Sequence, residues 1–173
     1  MYKRVIVITS LLLISGCSTY SERNKSVKWL TPDRMTCYEN GGNLYHTSGY
    51  KYNNTICSGL NLKESKKVCS ELGRVLPSLD ELKQVAISCG IGNYINGKWK
   101  NTKSKKSYYS CFEKKGFAPS RNYITSTVKD NHVAMLDFGQ IVIENVLEVG
   151  EGVFIKEIDI SSTSNTHTMC KKK

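Results

Sequence analysis

The stretch Asn61 to Gly90, NLKESKKVCSELGRVLPSLDELKQVAISCG, decides the fold because it holds two complete helix signatures in succession. Asn61 is a good N-cap, and Glu64 stands three residues on, the spacing of a capping box. Leu62, Ser65, Val68, Cys69 and Leu72 then recur at helical spacing until Gly73 supplies a stop. Ser78 caps the second helix, with Glu81 at its third position. Leu82, Val85, Ala86 and Cys89 follow at i, i+3, i+4 and i+7, and Gly90 ends the run. Pro77 lies just before the cap, where extended backbone is expected. Asp80 and Glu81 form an adjacent acid pair, but both fall in a first helical turn. Carboxylates complement the helix dipole there, so capping accounts for them without catalysis.

Downstream the pattern changes to strands. Asn122 to Thr127 is short and β-prone, and His132 to Phe138 alternates, with His132, Ala134, Leu136 and Phe138 on one face. Gly139-Gln140 reads as a two-residue turn into Ile141 to Val149, and Gly150-Glu151-Gly152 as a second turn into Val153 to Ile160. Between helices and strands, Gly90 to Arg121 has few aliphatics and many Gly, Asn, Lys and Tyr, and it reads as one long irregular loop. The expected fold class is α+β: two helices packed on a small antiparallel sheet, with a long loop. No internal repeat is visible.

The front of the chain has a different logic. Lys3 and Arg4 precede the apolar run Val5 to Ile14, which is too short to span a bilayer at roughly 20 residues but fits the core of a cleaved export signal. Ile14-Ser15-Gly16-Cys17 resembles the lipobox of bacterial lipoproteins, an aliphatic residue and two small residues before the cysteine that becomes the acylated N-terminus. The resemblance implies acyl chains on Cys17 as the membrane partner, and two or three chains suffice for stable anchoring. Ser18 after that cysteine favours the outer membrane by resemblance to Gram-negative sorting. The expected organisation is a signal peptide over 1–16, acylated Cys17 with a flexible tether to residue 30, one domain over 31–160, and a loosely held polar tail over 161–173.

Six cysteines follow Cys17, namely Cys37, Cys57, Cys69, Cys89, Cys111 and Cys170, and export puts them in an oxidising compartment. Six cysteines allow 15 pairings. The favoured set is Cys37–Cys57 and Cys89–Cys111 as local closures, leaving Cys69–Cys170. No C-x-x-C occurs, and His46, His132 and His167 are isolated from any cysteine pair, so no metal and no cofactor is expected.

Without Lys3 and Arg4 the chain carries 23 Lys+Arg against 15 Asp+Glu, a net of +8. Lys98, Lys100, Lys103, Lys105 and Lys106 fall close together beside Trp99, Tyr108 and Tyr109. Aromatics interleaved with cations suit an acidic glycan, lipid phosphates or nucleic acid. A solvated lysine loop that aids solubility explains the same composition. The loop has no arginine before Arg121, which argues against dedicated phosphate or nucleic-acid recognition. A Ser126, His132, Asp137 triad can be drawn on paper. Ser126 lacks a Gly-x-Ser-x-Gly setting, however, and His132 and Asp137 have opposite parity on one strand.

The run Lys67 to Leu82, KVCSELGRVLPSLDEL, resembles the helix, cysteine, Leu-Pro-Ser, Glu-Leu signature of DUF1566-type and formylglycine-generating-enzyme-like domains. Tyr123 to Thr127 (YITST) and Ala134 to Gly139 (AMLDFG) are similar to later strands of that group, over roughly residues 35 to 160. The resemblance implies a C-type-lectin-like fold used for adhesion or ligand display. The chain departs from the pattern where Val75 separates Arg74 from Leu76, where Ile124 stands for a tryptophan, and where Lys156-Glu157 replaces a common cysteine, so that Cys69 must look to Cys170. The calcium-binding triplets of true C-type lectins and the catalytic cysteine pair of the enzymes have no match, so neither calcium nor enzymatic activity is carried over. The expected function is a non-enzymatic binding or adhesion module on the outer membrane, meeting an acidic glycan or an envelope or host protein through the basic loop. The alternative is a periplasm-facing accessory of a secretion, pilus or conjugation assembly.

Overall fold

In a computed structural model, residues 28–46, 55–95, 98–101, 105–118, 121–138 and 154–173 are described. The expected export signal, Cys17, most of the expected tether, Lys103 and the expected strand Ile141 to Val149 lie outside them. Four helices occur among the described residues: α1 (Arg34–Glu39), α2 (Leu62–Glu71), α3 (Leu79–Ser88) and α4 (Lys105–Lys114). Helices α2 and α3 begin at Asn61 and Ser78, each with both halves of a capping box made. Two helices beyond the expected pair are present. For α1 the signal was Asp33, whose carboxylate accepts from the Thr36 N–H at 3.0 Å.

The strands are β1 (Trp29–Leu30), β2 (Asn43–His46), β3 (Thr55–Ser58), β4 (Ile91–Ile95), β5 (Lys98–Asn101), β6 (Asn122–Lys129), β7 (His132–Asp137), β8 (Phe154–Asp159), β9 (His167–Thr168) and β10 (Cys170–Lys171). Six of them form one sheet in the order β2-β3-β9-β6-β7-β8, while β1-β10 and β4-β5 form separate two-stranded sheets. Pairing is antiparallel except for one parallel contact, Tyr123 with His167. Asp130 and Asn131 turn β6 into β7 with φ of 46° and 62°, the left-handed geometry of a tight hairpin. Both edges of β7 are taken, by β6 and β8.

The large sheet separates two cores, and adjacent residues on its strands go to opposite sides. Ile56, Tyr123, Leu136 and Met169 pack with Leu82, Val85 and Ala86 of α3 and Phe112 of α4. Cys57, Ile124, Met135 and Cys170 pack with Leu62, Val68 and Cys69 of α2 and Cys37 of α1. Strand β7 is therefore buried on both faces from Val133 onward, and the expected one-sided alternation gives way; His132 is exposed. Phe112, Phe117, Tyr123 and Phe138 form a ring cluster, with centroids 4.6 Å apart for Phe112–Phe138 and 4.9 Å for Phe117–Phe138. Such pairs add about 0.5–1.5 kcal/mol each beyond area burial. The register of β6 shifts between Ile124 and Val128. There Ser126 N–H donates to Pro77 O at 2.8 Å and Leu79 N–H donates to Thr127 Oγ1 at 2.9 Å, so the irregularity seats the start of α3.

The disulfides are Cys37–Cys57, Cys69–Cys170 and Cys89–Cys111, the favoured set. Two boundaries differ from expectation. The polar C-terminal segment is not a loose tail, because Thr166 to Cys170 are all buried and β9 joins the two halves of the large sheet. Its polar groups are matched: Thr166 Oγ1 donates to Leu60 O at 2.7 Å, and the Thr168 and Ser65 hydroxyls lie 2.9 Å apart. The stretch expected as tether does not reach residue 30, since Trp29 is buried and pairs with Lys171. Residues 90–121, expected as one irregular loop, instead hold β4, β5 and α4. Aromatic rather than aliphatic burial, by Tyr109, Phe112 and Phe117, is what anchors α4.

Candidate functional site

Of the residues expected to contact a ligand, Lys98, Trp99 and Lys100 lie on β5, and Lys105, Lys106 and Tyr108 open α4. Cα pairing sets Trp99 opposite Tyr94 and Lys98 opposite Ile95. The Cys89–Cys111 bond ties the end of α3 to α4, so the hairpin is held from both sides. Lys103 lies outside the described residues. Tyr109 is a correction: it is 6% exposed and packs in the core, so it anchors α4 instead of meeting a ligand. An aromatic in a Lys-rich run reads as a surface contact only until the helix is known; helical spacing relates Tyr109 to buried Phe112, three residues on.

The acid pair resolves as structural. Glu81 completes the α3 capping box and pairs with Lys171 of β10, while exposed Asp80 pairs with Lys83 at 3.2 Å. Burial raises the Glu81 pKa, but Lys171 and the Ser78 hydrogen bonds outweigh it and hold the carboxyl below its ordinary value. The residues of the paper triad stay apart. His132 starts β7 opposite Lys129, and Asp137 ends it opposite Asn122, five residues or about 16 Å away at strand rise. Asp137 is buried and pairs with Lys156 across β7–β8 at 3.5 Å, and Lys156 also donates to Asn122 Oδ1. Among the described residues no group of His, Cys, Asp and Glu is placed to hold a metal ion.

A second feature was not read from the sequence. A cavity of about 250 Å³ opens where β2, β3 and β9 meet the residue before β6. Tyr45, Ser58, Arg121, Thr163, Asn165 and His167 line it, with the Gly59 backbone. The Arg121 guanidinium lies over the Tyr45 ring, 4.6 Å from its centroid. The rings of Tyr45 and His167 meet edge to face at 6.4 Å. Asn165 has φ of 53°, a left-handed conformation for a non-glycine residue at the rim.

His167 Nδ1 lies 3.1 Å from Asn122 O. A carbonyl can only accept, so Nδ1 carries the hydrogen and Nε2 keeps its lone pair. Burial first, and the charge of Arg121 after it, push the His167 pKa down to about 4, against the opposing effect of the Asn122 hydrogen bond. At neutral pH the described lining residues thus supply a guanidinium cation and a neutral imidazole. Its signal in the sequence was faint: Arg121 stands next to the predicted strand, but Tyr45, Ser58 and His167 come from separate segments of the chain that only pairing brings together.

The chain matches no protein-family model, no curated protein and no solved structure. No helix among the described residues is long and apolar enough to cross a membrane.

Proposed function

We propose that the chain is an outer-membrane lipoprotein, anchored through acyl chains on Cys17, whose disulfide-stapled C-type-lectin-like domain binds an acidic glycan without catalysis. The α+β arrangement, with helices against an antiparallel sheet and three disulfides, supports the fold assignment. The observation that carries the functional reading is the β4–β5 hairpin. It stands outside the main sheet and runs into α4, with Lys98, Lys100, Lys105 and Lys106 on its backbone path. Lys105 and Lys106 open a helix with no acid in its first turn, where cations oppose the helix dipole. Local stability therefore does not explain them, and attraction of a polyanion does.

The test has two arms. Acidic and neutral polysaccharides are presented to the full-length chain and to a variant with Lys98, Lys100, Lys105 and Lys106 replaced by Ser. The acidic polymer is expected to bind the parent in a salt-sensitive manner and the variant at least about tenfold more weakly, since each surface cation contributes modestly. Equal binding by both proteins refutes the reading. Protease treatment of intact cells then locates the domain. Loss of the domain from intact cells fits a surface binder, whereas protection until the outer membrane is opened moves the assignment to an accessory of an envelope assembly.

A further inference from the structure

The cavity beside His167 has features that a passive surface depression does not need. Among the described residues that line it the cation is Arg121, whose guanidinium lies over the Tyr45 ring and presents a planar donor fork. A planar fork matches a carboxylate in two parallel hydrogen bonds. His167 contributes an acceptor to the lining, because the bond from Nδ1 to Asn122 O leaves Nε2 with its lone pair. Ser58, Thr163 and Asn165 add hydroxyl and amide groups to the wall. The combination is one cation, one acceptor and several groups that both donate and accept. It suits a ligand with a single negative charge and hydroxyls nearby better than a bare dianion, which would leave the acceptor facing negative charge.

Size narrows the class. A cavity of about 250 Å³ falls below the roughly 300–1,000 Å³ of sites for drug-sized ligands and suits one small ring. The walls are positioned by the main sheet and not by loops alone. Ser58 and His167 are opposed residues of β3 and β9, and His167 is opposed to Tyr123 of β6. Gly59 N–H donates to Thr166 O at 3.0 Å, and Thr166 Oγ1 donates to Thr163 O at 3.2 Å, which ties the Thr163 side of the rim to the β3 end.

We propose that this cavity binds a single carboxylated sugar residue, with Arg121 paired to the carboxylate and Nε2 of His167 accepting from a ring hydroxyl. The inference rests on the acidic-glycan reading above and locates its specificity: the hairpin lysines attract the polymer and the cavity selects one residue of it. The probes are D-glucuronic acid, D-glucose as its uncharged counterpart and acetate as the bare carboxylate. Each is titrated at neutral pH into the full-length chain in mild detergent and followed by ligand-observed NMR and by the His167 ring signals.

Glucuronate is expected to bind and to shift the His167 signals, with glucose and acetate at least about tenfold weaker. Arg121→Gln is expected to lose glucuronate binding by a similar factor. Arg121→Lys, which keeps the charge without the fork, is expected to lose a smaller but measurable part. Glucose or acetate binding as well as glucuronate overturns the proposal without recourse to any variant, and so does undiminished binding by folded Arg121→Gln. The two readings fail separately. Polymer binding that depends on the hairpin lysines, with no glucuronate at the cavity, removes the cavity and keeps the hairpin. Glucuronate at the cavity with polymer binding indifferent to those lysines does the reverse.

Discussion

Removing the Cys69–Cys170 bond should cost more than removing either local staple, and the difference can be worked out. The bond spans 101 residues, against 20 for Cys37–Cys57 and 22 for Cys89–Cys111. Chain-entropy scaling gives about 4.7 kcal/mol for the long loop and about 3.3 kcal/mol for a 20-residue loop, a gap of about 1.4 kcal/mol. The Cys37–Cys57 pair is the natural control, since all four sulfurs are fully buried and double replacement by Ala removes the same atoms in each case. The packing loss is thereby matched, and loop length is what differs. Urea unfolding of the Cys69→Ala/Cys170→Ala and Cys37→Ala/Cys57→Ala proteins reads the gap. With a slope near 2 kcal/mol/M, typical of this size, the midpoints should differ by about 0.7 M. The long-range variant should also expose β9 to amide exchange first, because β9 is the strand between β3 and β6 and Cys170 lies two residues beyond it. Equal midpoints, or a lower midpoint for the Cys37–Cys57 variant, would refute the argument that this bond chiefly restrains the unfolded chain and pins β9.

Further perturbations follow from individual contacts. His167 has a folded pKa of about 4 against 6.5 when unfolded, so the unfolded state binds the extra proton. Stability is full above pH 6.5 and falls as pH drops toward 4, by up to about 3 kcal/mol; urea midpoints against pH should show this slope for the parent and not for His167→Gln. A methyl group on Gly42 would stand 2.8 Å from Cys37 Sγ, 2.9 Å from Leu60 Cδ2 and 3.1 Å from the Cys37 carbonyl oxygen. A disulfide and backbone cannot yield cheaply, so Gly42→Ala should cost about 1–3 kcal/mol, seen as a lowered Tm. Asn61→Ala and Ser78→Ala each remove half of a capping box and should cost about 1 kcal/mol apiece, additively, as read by denaturant titration. Tyr123→Phe leaves the Ala118 N–H without the phenol oxygen it meets at 2.7 Å in the core, and about 1–3 kcal/mol of lost stability should follow.

Local rules were enough for part of this molecule. Helices α2 and α3 could be read from Asn61, Glu64, Ser78 and Glu81, because a capping box involves only neighbours along the chain. The start of β6 and most of β7 were legible from β-prone runs for a similar reason, and the disulfide set followed from proximity and remainder. What failed were inferences from composition. Residues 90–121 look like loop because they lack aliphatics, yet Tyr109, Phe112 and Phe117 bury an aromatic face that organises α4. The segment Ser161 to Lys173 looks like a tail because it is polar, yet Thr166, His167 and Thr168 are satisfied inside the sheet by Leu60, Asn122 and Ser65. Polarity predicts exposure only when no partner waits in the interior, and the partners lie 45 to 106 positions away. The basic hairpin could be found in one dimension because its charge is contiguous. The cavity could not, because Tyr45, Arg121 and His167 become neighbours only when β9 enters between β3 and β6, and no local pattern encodes that insertion.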